Sequence, residues 1–374
     1  MSFDIPLFEL NFGEEEAQAV AEAVRSRWIS MGPRTAELER RFAEHIQAPY
    51  ALAVNSCTAA LHIATAMTVG PGDEVIVPSL TFVATVNAVR YTGATPVFAD
   101  ITSLGDLSID PEDVRRKITP RTKAILPMHY GGFPCDMDAL TAIAREHQLT
   151  VIEDAAHAPA SRVHGKYAGA IGEFGCFSFF SNKNITCAEG GMLVLQKEED
   201  ARRARLLRSH GMTTVSFERA KGHATKYDVL ELGYNYRIDD IRAALALVQL
   251  DKLGGDIQRR AILRQHYLEY LAGLDGIVVP YLDYPHASSN YIFVVVLKEG
   301  GAERRDAVRQ QLAERGIQTS VHYPAVHRFN IYAEGAPELP KTDYVADSLI
   351  TLPLFYDMTE DQVRRVCREL QSAL

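Results

Sequence analysis

The sequence is poor in cysteine and has no long hydrophobic run. Its five cysteines are odd in number and never spaced as C-x-x-C, so we expect neither a disulfide framework nor a metal site. No apolar stretch approaches the roughly 18 residues needed to span a bilayer. The first residues lack the basic region and apolar run of a secretory signal. We therefore expect a cytoplasmic protein with no membrane attachment.

Basic residues are outnumbered by acidic ones, and the expected nucleotide-binding glycine motifs are missing. Lys and Arg number 39 against 48 Asp and Glu, which gives a formal charge of −9. A nucleic-acid-binding protein normally carries a basic domain or stripe, so we do not expect that function. No G-x-G-x-x-G follows a predicted strand and no G-x-x-x-x-G-K-[ST] occurs, which disfavours a Rossmann dehydrogenase and a P-loop enzyme.

What is present is a repeated strand–turn–helix pattern between residues 50 and 195. Alternating strands and helices imply right-handed crossovers and a mostly parallel sheet with helices on both faces. The pattern therefore predicts an α/β fold. The predicted strands are residues 50–54, 74–77, 96–99, 124–127, 150–152, 176–179 and 192–195.

The pattern changes after residue 235, which indicates a second domain. Residues 239–274 are typical of a long helix that Gly254-Gly255 could break. A β-rich run (290–297), a helix (302–314), a strand (318–322) and a closing helix (361–374) follow. A chain of 374 residues suits two domains. We expect a large domain over 12–245 and a small α+β domain over 246–374, with residues 1–11 packing on the small domain.

Two polar segments follow predicted buried strands. Lys183 lies among small polar residues, and a partly desolvated lysine can lose its proton and attack carbonyls. It could equally be a solvated loop residue. Asp154 follows the strand at 150–152, where open α/β sheets place ligand-binding groups. Such an aspartate can pair with a pyridine nitrogen, or simply cap a helix.

Two further segments contain candidate anion-binding groups. The turn at residues 55–58 opens a predicted helix, and free N–H groups at a helix start bind phosphate. Helix capping by Ser56 or Thr58 explains that turn equally well. In residues 233–237, Arg237 could clamp a carboxylate or phosphate with two hydrogen bonds. The alternative is an exposed arginine beside Asp239 and Asp240.

Taken together, these segments make the sequence similar to a known family. It resembles the DegT-type nucleotide-sugar aminotransferases, which are enzymes of the aspartate aminotransferase fold (fold type I) that use pyridoxal 5′-phosphate (PLP). The resemblance implies an α/β large domain with a mostly parallel mixed sheet between helices, and a smaller C-terminal α+β domain. It runs through nearly the whole chain, on Trp28–Pro33, Thr58, Asp154, Lys183, Asn235 and residues 352–355.

The resemblance implies a role for each matching residue near the cofactor. Lys183 would bind PLP as a Schiff base and Asp154 would hold the pyridinium nitrogen. Phe82 would stack on the ring, and His157 would lie beside the ring and its O3′ atom. Lys183, Asp154 and His157 are thus the expected catalytic residues. The expected phosphate ligands are Cys57, Thr58, Ser178 and, from the neighbouring subunit, Asn235.

The resemblance also implies partners. Tyr323 and His327 match a substrate-side loop of the small domain, and Trp28 and Arg237 are further expected substrate contacts. The partner of Asn235 would be a second copy of the chain, so a homodimer with shared active sites is expected. Lys183 stands where related dehydratases have histidine, which favours an aminotransferase.

The expected substrates are L-glutamate, which becomes 2-oxoglutarate, and a 4-keto nucleotide sugar. The expected nucleotide is UDP. Residues 151–158, 183–191 and 352–360 resemble the family members that make UDP-4-amino-4-deoxy-L-arabinose for lipid A. Residues 180–182 and Tyr323-Pro324 instead resemble members that aminate 4-keto-6-deoxy sugars. A 3-keto nucleotide sugar and a non-catalytic PLP-binding regulator remain alternatives.

Overall fold

The computed structural model describes residues 3–213 and 227–374. Its large sheet has seven strands in the order β1-β9-β8-β5-β4-β2-β3. Strand β9 is antiparallel to both β1 and β8, and the other neighbouring pairs are parallel. The predicted mostly parallel mixed sheet is thus confirmed. The strands are β1 (Tyr50–Val54), β2 (Glu74–Pro78), β3 (Thr95–Ala99), β4 (Thr122–Ile125), β5 (Thr150–Asp154), β8 (Phe174–Ser178) and β9 (Gly191–Leu195), and a separate hairpin contains β6 (Arg162–Val163) and β7 (Lys166–Tyr167).

Helices cover both faces of this sheet because successive strand residues point to opposite sides. In β1, Leu52 belongs to the apolar cluster under the helices at residues 57–68 and 83–91, whereas Ala53 belongs to the cluster under the helices at residues 33–46 and 240–270. The helices of this part of the chain are α1 (Glu14–Arg25), α2 (Pro33–Ile46), α3 (Cys57–Thr68), α4 (Val83–Tyr91), α5 (Pro111–Arg116), α6 (Met137–His147), α7 (Glu198–Arg208) and α8 (Asp240–Tyr270).

A second core forms around a three-stranded antiparallel sheet in the order β10-β11-β12. Ile5, near the N-terminus, is fully buried in this core. None of the described helices is long and apolar enough to cross a membrane. The elements of this region are β10 (Ile277–Val278), β11 (Phe293–Leu297), α9 (Ala302–Glu314), α10 (Pro340–Ser348), β12 (Leu349–Leu352) and α11 (Glu360–Ala373).

Helix α8 joins the two cores without interruption, and the predicted break at Gly254-Gly255 is wrong. Each glycine costs about 1 kcal/mol in a helix. Packing offsets this cost because Leu253 is buried in the first core and Leu263 in the second. The expected domain boundary at residue 245 falls within this helix.

Residues 318–322 do not form the predicted strand. Ser320 exchanges two backbone hydrogen bonds with Thr351, and this contact is an isolated bridge. Ile317 pairs instead with Ile5 of the N-terminal segment. The segment therefore divides its hydrogen bonds between two neighbours and forms no continuous ladder with either. The sequence also predicts an exposed polar segment at residues 208–228, and most of it lies outside the described residues.

Glu153 anchors the end of β5, one residue before Asp154. Its side chain is fully buried. One carboxylate oxygen accepts hydrogen bonds from the N–H groups of Ile171 (2.8 Å) and Gly172 (2.6 Å), and the other accepts one from Gly169 (2.7 Å). Three backbone donors thus tie the loop before β8 to the strand that bears Asp154.

His129 completes the environment of this carboxylate. The N–H of Cys135 donates to Nδ1 of His129 at 3.1 Å, so the hydrogen on Nε2 is donated to Glu153 at 2.9 Å. The backbone N–H of His129 also donates to the carbonyl of Asp154 at 3.0 Å. Glu153 and His129 therefore fix the backbone position of Asp154.

Replacing Glu153 with glutamine should lower the free energy of unfolding by about 2–4 kcal/mol, because an amide NH2 would face buried N–H donors. Urea unfolding followed by circular dichroism measures the change. The control is Glu146→Gln, which removes an exposed ion pair with Arg115 and should change stability by less than about 1 kcal/mol. Equal losses in both variants would contradict the anchoring role of Glu153.

Candidate active site

The candidate site lies where three strand ends meet at one edge of the large sheet. Strands β5 and β8 are parallel neighbours that end at Asp154 and Ser178. Strand β1 runs in the same direction as β8, because β9 is antiparallel to both, and it leads into α3 at Cys57. A cavity of about 370 Å³ opens between these ends, which is within the size range of small-molecule sites.

Most residues singled out from the sequence line this cavity. They are Cys57, Thr58, Phe82, Asp154, His157, Ser178, Lys183 and Tyr323. The wall also contains Asn182, Glu189, Tyr291 and His322, which the sequence analysis missed as site residues. Tyr291 and His322 come from the second half of the chain, so no local pattern connects them to Lys183. Asn182 and Glu189 lie in the same loop as Lys183 and could have been found by proximity.

Lys183 follows β8 in a turn closed by its own N–H, which donates to the carbonyl of Phe180 at 3.0 Å. Its Nζ atom lies 4.2 Å from the centroid of the Tyr291 ring. Desolvation lowers the pKa of Lys183 to about 7, against the opposing influence of Cys57 and Asp154. A substantial fraction of the amine is therefore uncharged at neutral pH, as a nucleophile requires.

Asp154 is a buried carboxylate at the floor of the cavity. Burial raises its pKa, while the hydroxyl of Thr85 (2.7 Å) and the N–H of Ala156 (3.1 Å) donate to its two oxygens and act in the opposite direction. Two neutral donors do not replace the water that a carboxylate loses on burial. A cationic group in the cavity would therefore be stabilised by Asp154.

The start of α3 offers hydrogen-bond donors to the same cavity. Ser56 caps the helix by accepting from the N–H of Ala59 at 3.1 Å. The first N–H groups of a helix have no intrahelical partner, which leaves those of Cys57 and Thr58 for a ligand. A Cβ atom at Gly191 would lie 2.6 Å from the Cys57 nitrogen, so glycine is needed there. This helix start is suited to an anion.

His157 and Tyr323 form a hydrogen-bonded pair at the side of the cavity. The N–H of Gly131 donates to Nδ1 of His157 at 3.2 Å, so Nε2 bears the hydrogen that is donated to the Tyr323 hydroxyl at 3.0 Å. Burial holds the pKa of His157 well below its usual value. The hydroxyl hydrogen of Tyr323 cannot point at His157 and is available to a ligand.

His327 lies outside the cavity. Its Nδ1 atom is hydrogen-bonded to the hydroxyl of Ser79 at 2.7 Å, and its Nε2 atom is 3.2 Å from the carboxylate of Asp343. These contacts fasten the segment around His327 to the end of β2. Its substrate contact stays a prediction.

Asn235, Arg237 and Trp28 also lie outside the cavity that the described residues form. The carbonyl of Asn235 accepts a hydrogen bond from the side chain of Asn55 at 3.4 Å. Arg237 pairs with Val54 in an antiparallel bridge beside β1. Trp28 lies in the connection between α1 and α2. Because Asn235, Arg237 and Trp28 do not line this cavity, their expected roles stay predictions.

Comparison of the sequence with known families adds to this geometry. Residues 11–371 match the DegT/DnrJ/EryC1/StrS aminotransferase family. The chain belongs to this family. Its members depend on PLP, and the chain is a PLP-dependent aminotransferase.

Solved structures of other aminotransferases have the same fold. Spr1654 of Streptococcus pneumoniae, assigned as a sugar aminotransferase, is 30% identical and its PMP form superimposes with a TM-score of 0.92, covering 100% of this chain and 98% of that one. The same protein is also known in a PLP form. S. venezuelae DesV, solved with a ketimine intermediate, is 34% identical with a TM-score of 0.89 and the same coverage. The sugar aminotransferase CalS13 of Micromonospora echinospora is 27% identical with a TM-score of 0.90, covering 99% of this chain and 100% of that one.

The cavity of this DegT-family chain fits PLP in three respects. The half-buried amine of Lys183 has a lowered pKa, the carboxylate of Asp154 lacks a cationic partner among its hydrogen-bond donors, and the start of α3 presents N–H groups. These features match the aldehyde, the ring nitrogen and the phosphate of PLP, respectively. The aromatic ring of Phe82, more than half exposed, lines the same space.

Replacing Lys183 with alanine should abolish covalent attachment of PLP, because no amine would remain in the position to form an imine. After borohydride reduction, mass spectrometry of the intact chain should show the added cofactor in the wild type only. The control is Lys166→Ala, which removes an exposed lysine from β7 and should label as the wild type does. Reductive labelling of Lys183→Ala at another lysine, with retained turnover, would contradict the assignment.

Proposed function

We propose that the protein transfers an amino group from L-glutamate to a 4-keto nucleotide sugar, giving a 4-amino-4-deoxy sugar nucleotide. The observation that carries the proposal is the meeting of Lys183, Asp154 and the start of α3 in one cavity with exposed aromatic walls. The names of Spr1654 and CalS13 support a sugar as the acceptor. The product would serve cell-surface glycan or lipid A synthesis.

In this proposal, Lys183 moves the protons. Bound PLP supplies an electron sink for the carbon that loses a proton. Nζ of Lys183 takes the proton from Cα of glutamate, and in the second half of the reaction it delivers a proton to C4 of the sugar. A group that both accepts and donates works best with a pKa near the working pH, and the pKa of Lys183, lowered to about 7 by burial, suits this task.

The other cavity residues would orient the reactants. Asp154 would keep the ring nitrogen of the cofactor protonated, because a buried carboxylate favours a neighbouring cation. Thr58, Ser178 and the N–H of Cys57 would hold the phosphate. The Tyr323 hydroxyl, whose hydrogen is not used by His157, would donate to an oxygen of the substrate.

The acceptor side of the cavity suits a sugar ring. Phe180 lines the cavity and is 44% exposed, so its ring is open to a substrate, whereas the ring of Phe82, which is 54% exposed, would stack on the cofactor. The ring of Phe82 is 5.8 Å from that of Tyr323. Exposed aromatic faces beside hydroxyl donors are typical of small-molecule sites in which a few polar groups set the orientation. UDP is the proposed nucleotide because residues 151–158 and 183–191 resemble the UDP-linked members of the family.

The acceptor is tested by incubating the enzyme with L-glutamate and UDP-, dTDP- or GDP-linked 4-keto and 3-keto sugars. We expect formation of 2-oxoglutarate with a 4-keto substrate, and NMR of the product should place nitrogen at C4. Amination only of 3-keto sugars would replace the proposal by its closest alternative, since both reactions use the same residues. Binding of PLP with no turnover of any acceptor would favour the non-catalytic regulator.

We also propose a homodimer with shared active sites. Asn235 and Arg237 lie beside β1, outside the cavity of their own chain. The exposed hydrophobic side chains Val229, Leu230 and Leu232 precede them, and Leu232 is 87% exposed. Exposed hydrophobic side chains that lie this close together in the chain favour a protein–protein interface. In a two-fold dimer each chain would supply Asn235 to the phosphate and Arg237 to the anionic substrate of the other.

Mixing two inactive variants tests this arrangement. Lys183→Ala subunits combined with Asn235→Asp subunits should recover about one quarter of wild-type activity, because half of the dimers are mixed and each has one intact site. Asn235→Asp places a carboxylate against the phosphate. Activity is measured after subunit exchange has been verified with differently tagged chains.

The control mixture combines Lys183→Ala with Asp154→Ala. Both residues line the cavity of one chain, so a mixed dimer contains two damaged sites and should stay inactive. Recovery in this control, or no recovery in the first mixture despite verified exchange, would refute the shared site.

A further inference from the structure

Tyr291 contacts the amine of Lys183 with the face of its ring. The distance from Nζ to the ring centroid is 4.2 Å, which is well within the range of a cation–π interaction. Tyr291 is only 3% exposed. Its ring also packs against the imidazole of His157, with 4.1 Å between centroids. The ring is therefore held between two residues of the cavity.

The backbone of Tyr291 is fixed on both sides of the residue. Its N–H donates to the carbonyl of Gly131 at 2.9 Å. Its carbonyl accepts a hydrogen bond from the guanidinium of Arg260 at 3.2 Å, and the same nitrogen of Arg260 donates to the carbonyl of Leu354 at 2.9 Å. Arg260 thereby joins α8 to two segments of the small domain.

A buried network leads from Arg260 back to the neighbour of Lys183. Asp256 accepts hydrogen bonds from Nε of Arg260 at 2.8 Å and from the side-chain nitrogen of Asn184 at 3.0 Å. Each of these three residues is at most 5% exposed. The backbone next to Lys183 is thus held to α8 through Asn184 and Asp256. Tyr291 is held to the same turn of the helix through Arg260.

The protonation of Lys183 is subject to opposing influences. Burial lowers its pKa, and the neighbouring Asp154 and Cys57 raise it. Protonation of His157 or His322 would also lower it, since both lie near the amine and each has its own pKa lowered by Lys183. The face of the Tyr291 ring favours the protonated amine, as Asp154 does, because the quadrupole of the ring attracts an ammonium and not a neutral amine.

We propose that Tyr291 is a positioning residue for Lys183. The face of the Tyr291 ring stabilises the protonated amine and holds it toward the cavity. The inference rests on the proposed proton-transfer role of Lys183. A buried lysine without this contact would lose its proton more readily, so a smaller fraction of the enzyme would hold the proton that is delivered to the sugar.

The test replaces Tyr291 with phenylalanine and then with phenylalanines that contain one, two and three fluorines. Fluorine withdraws electrons from the ring face while nearly preserving its shape, so folding is retained. In the full-length protein freed of cofactor, the rate at which trinitrobenzenesulfonate modifies Lys183 is measured against pH by mass spectrometry. Tyr291→Phe should titrate as the wild type does. The acid dissociation constant of Lys183 should then rise with each fluorine, by about 2- to 30-fold in total.

A matched control places trifluorophenylalanine at Phe293, which stacks on Tyr267 in the small-domain core at 4.4 Å. This variant should titrate as the wild type does. An unchanged titration midpoint across the Tyr291 series would overturn the proposal. So would a full shift in Tyr291→Phe alone, since the hydroxyl and not the ring face would then be responsible. Retained aminotransferase activity in Lys183→Ala would refute the proposed function and leave the titration result standing.

Discussion

The site depends on the cost of burying charge. Lys183 and Asp154 lose water in the same cavity, and desolvation moves their pKa values in opposite directions, each toward the neutral form. Neither group has a full set of protein partners, so the cavity favours a ligand that is cationic next to Asp154 and reactive toward an amine. The surrounding structure fixes the backbone next to each of these two groups. Glu153 does so beside Asp154 with its three backbone donors, and Asn184 does so beside Lys183 through Asp256.

Much of the seven-stranded sheet was predictable from the sequence, because its strands are short apolar runs that end at polar turns. The residues that follow those strands, such as Lys183 and Asp154, could be placed at one sheet edge from the direction of parallel strands alone. Tyr291 could not, since it comes from a distant segment of the chain and is held at the cavity by hydrogen bonds with Gly131 and with Arg260 of α8. The irregular segment around Ser320 was mistaken for a strand because periodicity does not reveal how hydrogen bonds are divided between two neighbours.

Helix α8 shows why the helix break predicted at Gly254-Gly255 was wrong. A pair of glycines is a strong signal for a break, and it is outweighed here because leucines on either side belong to different hydrophobic cores. The same helix contributes Asp256 and Arg260, which contact segments from both parts of the chain. One element thus stabilises both cores and also fixes the geometry around Lys183.

The tautomer of His157 has a consequence for how the enzyme responds to acidity. Its Nδ1 atom is occupied by a backbone N–H, and protonation there would place two hydrogens against each other in a water-poor environment. The imidazole is therefore a constant donor to Tyr323 throughout the physiological pH range, with no titration of its own. A change of rate near neutrality should therefore not be assigned to His157, whereas the pKa of Lys183, lowered to about 7 by burial, falls in that range.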